Sequence, residues 1–291
     1  MKRTQGEKSF AVFNYIFLTT LALLTIYPFW NVIITSFSSA AEANRIGFKL
    51  WPAEIAWEGY KHVLSNSFIW IGYKNTILRV LLGTSIEMTL MILTAYPLSK
   101  KYLPCRNVVT MLIVFTMFFS GGMIPEYLNV RSLHIDNSIW ALVLPAGINT
   151  FSMLILRNFF MGVPEEIEES AKIDGASAMY TLIRIVLPLS LASLMTVGMW
   201  SVVAHWNAWF DCLIYIRDSK QFVLQAILRK IIIDAAPQFD NANASTQDIL
   251  SIDTEVIKSA TIIVSTIPIL IVYPFVQKYF MAGVMVGSLK G

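Results

Sequence analysis

Long uncharged, mostly apolar runs alternate along this chain with short stretches where the charges gather. Five windows hold no Asp, Glu, Lys or Arg: residues 9–41, 107–125, 137–156, 185–210 and 259–277. Each is near or above the roughly 20 residues that a helix needs to cross a bilayer. A sixth apolar stretch lies between Lys74 and Lys100 and is interrupted only by Arg79 and Glu87. The pattern predicts an all-α polytopic membrane protein: a single transmembrane domain over 1–291 with six spanning helices. Their approximate bounds are 10–37, 72–98, 107–128, 137–158, 183–210 and 258–280. A polar segment at 162–184 separates the fourth and fifth, and a larger one at 211–257 separates the fifth and sixth. The first window is too long for the apolar part of a secretory signal and has no sharp polar break after it, so it reads as a retained span.

Composition agrees with this pattern. Of 291 residues, 56% are hydrophobic and only 14% are charged, against about a quarter in soluble domains. The net charge of +3 is small and scattered, which argues against a nucleic-acid partner. Cys105 and Cys212 fall in loops on opposite sides of the predicted topology and cannot pair within the chain.

Orientation follows from the basic residues of the short loops. Lys2, Arg3 and Lys8 precede the first span, and Lys100, Lys101 and Arg106 separate the second from the third. Arg157, Lys172 and Arg184 flank the 162–184 segment, and Lys278 and Lys290 come at the end. With six spans these groups share one side, so both termini and the 162–184 segment are expected in the cytoplasm of a multi-pass cell-membrane protein. The stretch from Ser120 to Asp136 contains Gly121, Gly122 and Pro125 and reads as an external turn. Trp51, Trp57 and Tyr60 are expected at the membrane interface.

The most informative segment is Val163-Pro-Glu-Glu-Ile-Glu-Glu-Ser-Ala-Lys-Ile-Asp-Gly175. Pro164 suits the first turn of a helix, and Glu165, Glu166 and Glu168 complement the positive end of that helix. Gly175 suits the residue just past a helix end, where the left-handed conformation is needed. The spacing predicts two to three helical turns, a glycine turn, and a second helix broken or kinked at Pro188. Read physically, this is either a docking element for another protein or an amphipathic loop lying on the membrane. Its acidity disfavours an anionic lipid surface.

These residues resemble a known signature. Glu169-Ser170-Ala171, three residues, Gly175, nine residues, Ile185, one residue, Leu187-Pro188 is similar to the EAA motif of ATP-binding-cassette (ABC) importer permeases, with Ser170 the single departure. The resemblance extends over essentially the whole chain. It is closest to the binding-protein-dependent carbohydrate-uptake branch, with features of the smaller maltose-type permease and of permeases for complex oligosaccharides, including oligouronides. It implies the type I importer permease fold and transport of a sugar or oligosaccharide by alternating access. Glu169, Ser170, Ala171, Asp174, Gly175, Ile185, Leu187 and Pro188 would then couple to a dimer of cytoplasmic ATPase subunits. The tail, with Gly287 and Lys290, would reach between those subunits. A homologous second permease and an extracytoplasmic solute-binding protein complete the implied partners.

No Gly-x4-Gly-Lys-Ser/Thr phosphate loop occurs in the chain. It is therefore expected to bind no cofactor and hold no catalytic residue, with ATP and magnesium on the partner ATPases. His62, His134 and His205 are too dispersed to suggest a metal site. Arg79 and Glu87 sit inside a span, where a charge is costly and usually functional. They either line the substrate pathway or are satisfied internally, and at eight residues apart they need a third group to pair. Trp206, Asn207 and Trp209 could stack on and bond a sugar, or form an interfacial belt. The alternatives to sugar import are import of another solute by the same machinery and, from a different class, an ion-gradient secondary transporter.

Overall fold

A computed structural model of the chain describes residues 5–43, 45, 47–234 and 254–288, with side chains at 6–43, 45, 47–233, 254–271 and 274. The secondary structure over these residues is helical throughout: α1 (Gln5–Ser36), α2 (Ala40–Ala43), α3 (Glu58–Ser65), α4 (Ser67–Ser99), α5 (Arg106–Phe118), α6 (Met123–Ser132), α7 (Ile139–Val143), α8 (Thr150–Met161), α9 (Glu165–Ile173) and α10 (Ala178–Thr181). A π-helical turn, Leu182–Val186, leads into α11 (Leu187–Leu189), α12 (Leu191–Asn207) and α13 (Phe210–Tyr215). A 3-10 turn, Ser219–Gln221, precedes α14 (Leu224–Asp234) and α15 (Thr254–Ser288). Lys2, Arg3, Lys290 and residues 235–253 of the expected external segment lie outside the described residues.

Among the described residues, Gly6–Ser36, Ser67–Ser99 and Thr254–Ile271 are continuous helical stretches long and apolar enough to cross a membrane. The expected span at 107–128 is not one helix. α5 ends at Phe118, and α6 leaves it at 111°. Gly122, at φ +88, makes the corner, and the segment read as an external turn is instead largely helical. Pro125 is tolerated there because it is the third residue of α6, where no backbone N–H has an intrahelical partner. The stretch at 137–158 is likewise divided, into α7 and α8. Asn149 caps α8 by accepting a hydrogen bond from the Ser152 N–H at 2.9 Å, which satisfies one of the orphan donors of that helix start.

The stretch at 183–210 also departs from a single rod. Ala178–Leu189 and α12 meet at 85°, and the bend falls at Ser190, two residues past Pro188. Proline supplies no N–H, so the ladder widens to a π turn just before it and reorganises after it, the Ser190 N–H reaching the carbonyls of both Val186 and Leu187.

The chain forms two compact units, Met1–Ile69 with Leu228–Ile267 and Trp70–Ile227 with Pro268–Gly291. In the first, the loop after α1 folds back on aromatic contacts. Tyr27 stacks on Phe48 at 4.5 Å, and Phe37 meets Trp57 edge-on at 5.1 Å. The Ser36 and Tyr60 hydroxyls are 2.8 Å apart. A side chain at Gly59 would come within 2.7 Å of Val256, so glycine there permits close approach of α3 and α15. In the second unit, Met91, Ala95, Met153, Leu156, Phe160 and Val186 form a buried core that holds α4, α8 and the π turn together. A further cluster joins Val130, Leu142, Cys212 and Val223. Most apolar side chains of α1 and α5 are exposed, as expected of surfaces that face lipid or another apolar partner.

Candidate functional site

α9 starts directly after Pro164, which occupies the N-cap rather than the first helical turn expected of it. Glu165, Glu166 and Glu168 fill the first turn and Lys172 the last, both favourable to the helix dipole. The Gly175 N–H bonds the Lys172 carbonyl at 3.1 Å, and the Ala176 N–H reaches back to Ala171 at 2.9 Å. With Gly175 at φ +84, these two bonds are a complete Schellman termination. Ser177 then caps α10 by accepting from the Tyr180 N–H at 3.3 Å.

Glu169, Ser170, Asp174, Gly175 and Pro188 are exposed, while Ala171, Ile185 and Leu187 are half-buried. Ile173 is 86% exposed, an apolar knob at the tip of a helix that carries four glutamates. The sequence places it inside the segment but does not show that it is exposed.

The segment is fastened to the end of α4. The Lys100 ammonium lies 2.5 Å from both carboxylate oxygens of Glu168 and 4.5 Å above the centre of the Tyr96 ring. The Tyr96 hydroxyl is 3.5 Å from the same carboxylate. A second ion pair, Lys101 to Glu165 at 2.8 Å, is open to solvent. Its hydrogen bond and charge hold the Glu165 carboxyl below the ordinary carboxylate range. That link is therefore complete at neutral pH and is lost only as pH falls through the lowered value. Beside these pairs is a cleft of about 460 Å³, lined by Tyr96, Lys100, Phe160, Glu168, Lys172 and Thr181.

Arg79 and Glu87 do not pair with each other. Arg79 donates to both carboxylate oxygens of Asp211 and to the Ala208 carbonyl, the latter at 3.3 Å. Glu87 accepts from the Ser201 hydroxyl and lies 3.5 Å from His205 Nε2. The Thr84 and Ser201 hydroxyls are 3.3 Å apart. Arg79 and Glu87 are thus buried, at 2% and 6% exposure, and paired with groups of α13 and α12 rather than facing open space. Their partners had a legible signal: Ser201 and His205 are four residues apart, hence on one helix face, as are Gly83 and Glu87. A Cβ at Gly83 would fall 2.5 Å from the His205 ring. Gly83→Val is therefore expected to push the imidazole off Glu87 and to destabilise the protein by about 1–3 kcal/mol, read as a lower Tm of the purified protein in lipid.

Trp206 is buried against Tyr73, with ring centres 6.4 Å apart, so it presents no free face for a sugar. Asn207 is exposed and Trp209 half-buried, edge-on to Phe210 at 5.4 Å. Gly287 lies in the last turn of α15. Among the described residues no three His, Cys, Asp or Glu groups are clustered for a metal ion.

No protein-family profile matches the chain. Known proteins do. The chain is 39% identical over 286 residues to the polygalacturonan/rhamnogalacturonan transport system permease protein YtcP of Bacillus subtilis (strain 168), covering 98% of this chain and 99% of that one. It is equally 39% identical over 291 residues to Protein LplC of the same organism, covering 100% and 98%. Its structure superposes, with a TM-score of 0.88 and 30% identity over 96% of this chain and 99% of the other, on a chain of a bacterial ABC transporter involved in import of the acidic polysaccharide alginate. The chain belongs to the ABC importer permease family. The permease is thus a membrane-embedded transport subunit.

Proposed function

We propose that this permease carries an oligosaccharide rich in uronic acids into the cell by alternating access, with the energy delivered to α9–α10 by partner ATPases. The observation that carries the coupling is the exposed Glu165–Ser177 segment: a short acidic helix with an apolar tip at Ile173, ended sharply at Gly175 and fastened to α4. An 86% exposed isoleucine, followed by Asp174 and borne on a helix with four glutamates, suits an apolar groove rimmed with cations on another protein. Glu169, Ser170, Ala171, Asp174 and Gly175 would seat in that groove, with Ile185, Leu187 and Pro188 behind them.

Six spans are counted in this reading: α1, α4, α5 with α6, α7 with α8, the bent run into α12, and α15. An even count, with the basic loops, supports a reading in which both termini are cytoplasmic. The tail would lie between the ATPases, a homologous permease would cover the exposed apolar faces, and a liganded binding protein would dock outside. ATP and magnesium stay on the ATPases. The substrate class rests on the names of two relatives, whose cargoes, polygalacturonan and alginate, are both built from uronic acids.

The test is reconstitution of the permease with its partner permease, ATPases and binding protein in liposomes. Oligogalacturonide uptake is expected to require ATP and binding protein, and a neutral oligosaccharide of equal length is expected to be carried poorly. Uptake driven by an ion gradient in the absence of ATP would overturn the importer mechanism.

A further inference from the structure

Two routes lead from the acidic segment into the rest of the second unit. The covalent route runs through α10 and α11 into α12. It is a poor mechanical link, because it passes through the π turn Leu182–Val186 and the 85° bend at Ser190. Wider turns and missing backbone hydrogen bonds make such a joint yield under load. The second route crosses space to α4, an uninterrupted helix of 33 residues and so about 50 Å long.

The contact at the near end of that helix is built to carry force. The Lys100 and Glu168 side chains are only 12% and 16% exposed. The ammonium reaches both carboxylate oxygens and caps the Tyr96 ring. Arg157 reinforces the same end by donating from Nε to the Leu98 carbonyl at 2.9 Å. Farther along, α4 is tied to α12 through Glu87 with Ser201 and His205, and to α13 through Arg79 with Asp211. These polar ties are directional and are costly to break in an apolar setting, so displacement of α4 must move α12 and α13 with it.

We infer that Lys100 and Glu168 are positioning residues that transmit the movement of the acidic helix to α4, so that the stroke reaches α12 and α13 across this ion pair and not along the chain. The inference rests on the coupling reading above and adds the path that the coupling takes. The neighbouring pair Lys101–Glu165 joins the same two elements but is 75% and 65% exposed. Screened by water, such a pair contributes little, which makes it an internal control.

The experiment compares oligosaccharide uptake per ATP hydrolysed in the reconstituted complex. Lys100→Glu and Glu168→Lys are each expected to lower this ratio about tenfold while binding-protein-stimulated ATP hydrolysis persists, and the double exchange Lys100→Glu/Glu168→Lys is expected to restore it to within about twofold. Lys101→Gln is expected to stay within about twofold of the parent. Should a reversal hinder assembly, judged by co-purification of the ATPases, Lys100→Gln provides the same readout with less perturbation. Losses that the exchange does not repair, or equal losses from Lys101→Gln, would overturn the inference. If the reversals leave the ratio unchanged while Gly175→Pro abolishes uptake, the path through α4 is refuted and the coupling reading stands. If Gly175→Pro also transports normally, the coupling reading itself fails.

Discussion

Gly175→Pro is expected to abolish uptake by the assembled transporter. Gly175 has φ +84, whereas proline is held near −65°. The substitution also removes the N–H that bonds the Lys172 carbonyl. The Schellman termination would open, and α10 would leave α9 in another direction. A graded series separates conformation from bulk, because a Cβ at this position would have no heavy atom within 4 Å. Asn, which tolerates the left-handed region, is expected to transport almost normally. Ala carries a penalty of about 1–2 kcal/mol and should fall between Asn and Pro. Uptake and binding-protein-stimulated ATP hydrolysis, measured together, check the series. Normal transport by the proline variant would show that the shape of this turn is irrelevant to the partner.

Asp211→Ala is expected to cause the largest loss of stability among single substitutions away from the acidic segment. It strands the Arg79 guanidinium, which is 2% exposed and whose Nε already lacks a partner. Breaking a buried pair from one side typically costs about 3–5 kcal/mol. The Asp211 side chain is 28% exposed, so about 3 kcal/mol, the low end, is appropriate. Adding Arg79→Met removes the stranded charge and is expected to recover most of the loss, since an apolar chain of similar length suits the site. Thermal unfolding of the permease in lipid measures both variants. If Asp211→Ala unfolds at the parent temperature, Arg79 finds water or another acceptor when Asp211 is gone.

Much of this architecture was open to reading before any coordinates. Charge-free windows of spanning length marked the apolar helices, because a bilayer admits no other economy of charge. The acidic run from Glu165 and the glycine ten residues later marked both ends of α9, because end effects in helices are local and depend on a few neighbouring residues. Breaks inside apolar runs were less legible. Ser120-Gly-Gly-Met-Ile-Pro125 showed that a helix must stop but not that a new one starts at Met123, since the same residues serve a turn or a helix entry. Pro188 announced a kink whose actual position, Ser190, depends on how the surrounding backbone takes up the missing hydrogen bond.

Local pattern thus determined the helical class, the signature segment and the positions where charge interrupts an apolar run, all properties set within one or two turns of chain. Pairing was decided only in three dimensions. Arg79 could be seen to need a counter-charge, yet Asp211 lies 132 residues away, and Lys100 meets Glu168 across 68. Trp206, a candidate sugar contact by residue type, is turned inward onto Tyr73. Sequence carries the demand for a partner because desolvating a charge is costly wherever it occurs. Which group meets that demand depends on how the helices pack, and packing sums over contacts that no single stretch of chain contains.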